Sequence, residues 1–231
     1  MVYRDEVRGT PSRTVGTLFS ADGREFVIAD LDMSKLPQVA ELHCRAFPKS
    51  LFAALGRRVV LRYYEWQLTG PHDVQALGAF RGQRLAGFCI GGVFHGAFSG
   101  FLRKNWAFLL RHFITHPWIM ANPEFRDRLR LHVQVMLNRQ ARVAVGRDPA
   151  QKKAERSFGI LAIAVDPAMQ GRGVGKALMN EAEAHARKSG FAQMHLTVNP
   201  ANLRAIRFYE RIGWTRVDPS ATCVNSMRKR L

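Results

Sequence analysis

The 231-residue sequence predicts an α/β (α+β) fold: a sheet of six to seven strands flanked by helices, with a long helical insertion between the third and fourth strands. Three observations predict it. Strand-like apolar runs alternate with segments whose apolar residues recur at helical spacing. A glycine-rich loop, residues 170–175, joins one such run to a helical segment. Residues 93–157 differ from the rest, with aromatic and basic residues alternating in blocks.

Taken in order, residues 1–24 lack periodicity and read as a loose leader to a single domain, 25–231. Phe26 to Ala29 reads as a first strand. Asp32 or Ser34 can cap a helix to about Phe47, with Leu36, Val39, Ala40, Leu42, His43 and Phe47 at helical spacing, and Pro48 ends it. Leu51 to Leu68 reads as a second helix, closed by Gly70 and Pro71. Val74 to Phe80 and Leu85 to Gly92 read as a hairpin turning at residues 81–84. The insertion, 93–157, is punctuated by Pro117 and Pro123 into two or three helices. Phe158 to Val165 returns to strand composition. A helix from Val174 to Lys188, a strand from Met194 to Val198, a helix from Asn202 to Ile212 and two short strands complete the order.

Charge is the unusual bulk property. Thirty-five Lys and Arg against 18 Asp and Glu leave a formal +17, with a pI near 11.0. Such an excess favours anionic partners. The insertion holds 12 Lys and Arg against four Asp and Glu, about 8 of that excess. The basic charge carries no helix-turn-helix or RNA-binding signature with it, which speaks against nucleic acid. Cys44, Cys89 and Cys223 match neither a disulfide framework nor a metal-ligand spacing, so no metal is expected. The N-terminus lacks the apolar run of a signal peptide. The longest apolar stretch, Phe98 to Ala121, is broken by Arg103, Lys104, Arg111, His112 and Pro117. A cytoplasmic, non-spanning protein is expected.

Chemistry concentrates after Phe158. Gln170-Gly171-Arg172-Gly173-Val174-Gly175-Lys176 follows a strand and opens a helix, whose N-terminal N–H groups and dipole suit a phosphate. Glycines at alternate places admit close approach and φ values closed to other residues. Arg172 and Lys176 add charge. A dinucleotide fingerprint fails because Lys176 stands where its third glycine belongs. A Walker-type loop fails because Gln170 and Ala177 replace its first glycine and its Ser or Thr.

The run Ile163 to Gly175 resembles the acetyl-CoA-binding motif of the GNAT superfamily of N-acetyltransferases, with Gln170, Gly173 and Gly175 in its fixed places. Asn199 to Trp214 resembles the superfamily's second signature. The resemblance implies the GNAT fold, a central mixed, mostly antiparallel sheet flanked by helices, and an acetyl-CoA-dependent N-acetyltransferase. It further implies that the strands near 158–165 and 193–199 splay to hold the pantetheine arm, paired to backbone groups around Ile163, Ala164 and Val165. Gly171 to Lys176 would take the pyrophosphate. Asn202 would cap its helix and contact the cofactor, a cap alone being the plain alternative. Tyr209 would serve the thiolate leaving group as general acid, against the alternative of a core aromatic. Phe208 and Trp214 read as core.

The amine's proton is harder to place. Some relatives in the superfamily it resembles that acetylate proteins carry a glutamate five residues before the matched asparagine, and here that place holds Thr197. This departure weakens a protein or peptide acceptor and leaves His95, His195 and Glu155 as candidate bases, alongside a water chain. The acceptor is expected to be a small, anionic molecule with a primary amine, such as an amino sugar or nucleotide amino sugar. A non-catalytic CoA- or nucleic-acid-binding module is a further alternative. The insertion has three open roles: covering such a substrate, lying on an anionic membrane surface through the region of Trp106, Phe108, Leu109 and Phe113, or packing against the core or a second subunit of a homodimer.

Overall fold

In the computed structural model, residues 14–19, 25–123, 125–127, 129–130, 157–217 and 225–231 are described. Their strands form one sheet in the order β1-β2-β3-β4-β5-β6-β8-β7. These are β1 (Thr14–Phe19), β2 (Glu25–Asp30), β3 (Asp73–Arg81), β4 (Arg84–Val93), β5 (Ser157–Val165), β6 (Gln193–Val198), β7 (Thr215–Arg216) and β8 (Asn225–Arg230). Every neighbouring pair is antiparallel except β5 with β6, which run parallel. The mixed, mostly antiparallel sheet expected from the sequence is present. The eighth strand is β1, which lies inside the range read as a leader and pairs along β2.

Helices cover both faces. Over one lie α1 (Leu36–Ala46), α2 (Leu51–Leu55), α3 (Arg57–Thr69), α4 (Ala97–Lys104), α5 (Trp106–Thr115) and α6 (Pro117–Ala121). Val39, Leu42, Val60, Tyr64 and Phe101 meet Phe88 and Ile90 of β4 there. Over the other lie α7 (Val174–Lys188) and α8 (Leu203–Arg211), whose Leu178, Met179, Ile206 and Tyr209 meet Cys89, Phe158 and Met194. Packed on both faces, β4 is buried from Leu85 to Gly92, which explains why its sequence lacks polar alternation. The expected single helix from Leu51 to Leu68 is two, because Gly56 adopts φ 92° and ψ 163° between α2 and α3. The insertion supplies α4 to α6 and further helical residues between 123 and 130; its remainder lies outside the described residues.

One irregularity positions the site. β5 pairs with β4 at Ile90↔Ala162 and then at Gly91↔Ile160, so Leu161 is an extra residue in β5. Such a bulge bends its strand and sharpens the local twist. The β5–β6 pairing ends at the same level, at Ile160↔Leu196. Beyond it β5 follows β4 as far as Val165, while β6 follows β8 to Val198. The sheet therefore opens into a V.

Candidate active site

A cavity of about 550 Å³ occupies the V and the loop above it. Of the residues singled out from the sequence, Ile163, Ala164, Val165, Gln170, Gly171, Gly173, Val174, Gly175, Lys176, Asn202 and Tyr209 all line it. Arg172 does not; it is half-buried beside the loop. Sequence reasoning missed Ala46 and Phe47 from the end of α1, Met169 before the loop, and Arg204, Ala205, Arg211 and Ile212 along α8. Phe208, read as core, reaches both the core and the cavity. The charged residues of the lining are Lys176, Arg204 and Arg211, all basic.

The loop between β5 and α7 is held rigid by Asp166. Its carboxylate is almost fully buried, lies 3.2 Å from Arg45 and 3.3 Å from Arg84, and accepts the Ala168 N–H at 3.1 Å. Its own N–H donates to the Ala86 carbonyl at 2.8 Å. The Asp-Pro pair after the strand was the sequence signal for this turn. Gln170 Nε2 donates to the Val165 carbonyl at 3.2 Å, so that carbonyl faces away from β4. The backbone groups of Ile163, two residues earlier, face the same way, toward the cavity.

Two of the three glycines need their freedom for conformation. Gly171 has φ 80° and Gly173 φ 82°, the left-handed region. Gly173 caps α7, and the N–H groups of the first turn point from the helix end toward the cavity. Gly175 has an ordinary φ, and a Cβ there would meet Val165 and Phe208 at 3.5 and 3.6 Å, ordinary contacts. Of the three, Gly175 alone does not need that φ.

On the opposite wall, Asn202 caps α8, its Oδ1 accepting the Ala205 N–H at 3.1 Å. Tyr209 lies a turn beyond Ala205, nine-tenths enclosed, with rings of Phe208 and Trp214 at 5.2 and 5.9 Å. Burial pushes its hydroxyl above the usual tyrosine range, and the Cys89 thiol of β4 adds to the effect. Cys89 itself is pushed up to about 12 by burial. A phenol so placed keeps its proton at any physiological pH and is a donor.

His195 projects from the face of β6 opposite α7 and α8, one residue before the last β5–β6 pair. Its Nδ1 lies 2.7 Å from Ser157 Oγ. A Cβ at Gly159 would fall 2.9 Å from its Nε2, so glycine there leaves the room the ring occupies. Thr197 lies on the same face, beside the mouth of the V. His95 sits past β4, its N–H donating to His72 Nδ1 at 3.2 Å, outside the cavity lining. Glu155 lies outside the described residues. Among the described residues no His, Cys, Asp and Glu cluster suits a metal ion.

Residues 36–214 match the family model described as Acetyltransferase (GNAT) family. Among curated proteins, mycothiol acetyltransferase of Streptosporangium roseum is 44% identical over 59 residues, covering 26% of this chain and 18% of that protein. An uncharacterized N-acetyltransferase of Methanocaldococcus jannaschii is 46% identical over 52 residues, 22% of this chain and 23% of that one. The chain thus matches about a fifth of the length of these relatives. Among solved structures, the GNAT domain of S. lividans PAT superposes with TM-score 0.55 at 15% identity, over 94% of this chain and 96% of that one. The PaiA N-acetyltransferase of Thermoplasma acidophilum, in complex with coenzyme A, superposes with TM-score 0.53 at 15% identity, over 89% and 99%. At that identity the likeness is one of fold. The family model, spanning the α1–α8 frame and both walls of the cavity, decides the assignment: this chain belongs to the acetyltransferase (GNAT) family.

Proposed function

We propose that the protein transfers the acetyl group of acetyl-CoA to a primary amine of a small, anionic acceptor by direct attack. The observation that carries this is the single cavity running from the V, through the loop at 170–176, to Tyr209. Its residues fit coenzyme A. Gly171 and Gly173 form the cradle beneath a helix N-terminus for pyrophosphate, Lys176, Arg204 and Arg211 supply positive charge, and outward backbone groups of Ile163 and Val165 can take an amide-bearing arm as a sheet edge takes a strand. Because Gln170 already occupies the Val165 carbonyl, the N–H groups and the Ile163 carbonyl carry that pairing.

Bound acetyl-CoA supplies a thioester, whose carbonyl carbon the amine attacks and whose sulfur departs. Tyr209 holds a proton at Oη for that sulfur. Phe47 and Phe208 add apolar surface to the cavity lining. On the other face, His195, beside Ser157 and Gly159, stays a candidate base; like His95 it lies outside the cavity lining. The acceptor's anionic character is supported by the formal +17 of the chain. The Streptosporangium roseum relative is named a mycothiol acetyltransferase, over too short a match to bring that activity here.

Calorimetric titration with acetyl-CoA tests the donor site: one site per chain is expected, and no heat at micromolar concentrations would sink the reading. A thiol-release screen over amino sugars, nucleotide amino sugars, polyamines, aminoglycosides and peptides tests the acceptor. Turnover confined to uncharged or polycationic amines would exclude an anionic acceptor.

A further inference from the structure

The helical insertion carries an apolar stripe on its outer surface. Leu102, Trp106, Leu110, Ile114 and Trp118 recur every fourth residue and are 40, 65, 53, 69 and 62% exposed. Within α5, Trp106, Leu110 and Ile114 stand four apart and share one helix face; Leu102 precedes them on α4 and Trp118 follows on α6, past the non-helical His116. The junction of α4 and α5 keeps that face continuous, since Asn105 N–H donates to the Phe101 carbonyl and Leu109 N–H to the Asn105 carbonyl, both at 2.9 Å. The opposite face is what anchors the helices: Phe101, Asn105 and Leu109 are buried, with Phe108 and Phe113 against the same core. The residues that could meet a membrane are therefore Trp106, Leu110 and Ile114. Phe108, Leu109 and Phe113, named from the sequence, turn inward.

The charge around this stripe has one sign. Arg103 and Arg111, each one residue after a stripe position, are exposed, as is Lys104. No Asp or Glu occurs between Val74 and Pro123. On neighbouring helical segments, Glu65 and Asp127 each pair with an arginine, Arg62 at 3.6 Å and Arg130 at 3.4 Å. An apolar face that opens on Trp106 and carries a basic rim matches a helix lying in the headgroup region of an anionic bilayer. A second copy of the chain fits less well, because a two-fold contact would bring Arg103, Lys104 and Arg111 against their own equivalents with no carboxylate of that stretch between them. We infer that the protein docks on an anionic lipid surface through the outer face of α4 to α6. Among the described residues no helix is long and apolar enough to cross the bilayer.

Sedimentation of the full chain with vesicles of phosphatidylcholine alone, and of phosphatidylcholine with one quarter phosphatidylglycerol, tests this. Binding to the anionic vesicles is expected to exceed binding to the neutral ones by at least about tenfold. The double substitution Trp106→Glu with Ile114→Glu should abolish it, and Arg103→Gln with Arg111→Gln should weaken it by roughly tenfold or more. Both variants should bind acetyl-CoA as the parent does, which shows that they are folded. Failure to bind, equal binding to both vesicles, or unchanged binding by the glutamate variant would overturn the inference. So would a lipid-free dimer in analytical ultracentrifugation that Trp106→Glu dissociates, because a second copy would then cover the stripe.

Discussion

Tyr209 and His43 show how burial sets the chemistry of single side chains. Tyr209 is held as a neutral donor, so Tyr209→Phe should lower turnover by about a hundredfold while leaving acetyl-CoA affinity within about twofold. Single-turnover rates beside calorimetry check this, and an unchanged rate would remove its role as acid. His43 stands behind Phe47, their rings 5.0 Å apart. Its Nδ1 lies 2.8 Å from the Tyr64 hydroxyl and its Nε2 3.2 Å from Ser50 Oγ. Burial lowers its pKa from 6.5 to about 4. Above 6.5 the group contributes nothing to pH dependence. As pH falls below 6.5 toward 4 the unfolded chain takes up a proton that the folded one refuses, so stability falls across that window, by about 3 kcal/mol in full. Urea midpoints at pH 7 and 4.5 should separate less in His43→Gln than in the parent. Tyr209 and the glycines were legible because short-range motif spacing marks them. Phe47, Arg45 and His43 were not, since their closeness to the site comes from the docking of α1 on the sheet.

At the scale of elements, α8 is the wall most dependent on a local device. Asn202 ends the preceding turn, with its N–H donating to the Asn199 carbonyl, and caps the helix. Asn202→Ala should cost about 1 kcal/mol of stability; denaturant unfolding measures this, and a larger drop in acetyl-CoA affinity than in stability would separate a ligand contact from a cap. The far end of α8 is fixed by Lys229, whose Nζ lies 2.8 Å from both Glu183 oxygens and donates to the Ile212 carbonyl at 2.6 Å. The bounds of α7 were readable to the residue, because an apolar stripe, a glycine at its start and a basic last turn coincide. β1 was not, since Thr14–Phe19 becomes a strand by pairing with β2 and has no alternation of its own. Nor was the bulge: Phe158 to Val165 is an unbroken apolar run, and only its register against β4 shows Leu161 to be extra.

For the whole molecule, binding at the V ties together parts distant in sequence: the end of α1, the loop before α7, and α8. A ligand that binds the folded state alone stabilises it by about 2.7 kcal/mol at a hundredfold excess over Kd. For a chain of this size that corresponds to a rise in Tm of roughly 5–10 °C. Thermal unfolding with and without acetyl-CoA measures it, and no rise at saturating ligand would contradict the donor site.

The V also makes the sheet two panels joined along a short seam. β1 to β5 form one, and β6, β8 and β7 the other, with the four register pairs from Ser157↔Gln193 to Ile160↔Leu196 between them. So short a seam is where the sheet opens at least cost, ahead of global unfolding. A pantetheine arm lodged in the V would act as a removable stitch across it. Amide hydrogen exchange should therefore slow on ligand binding along β6 and β8, which the arm need not touch, as well as along β5.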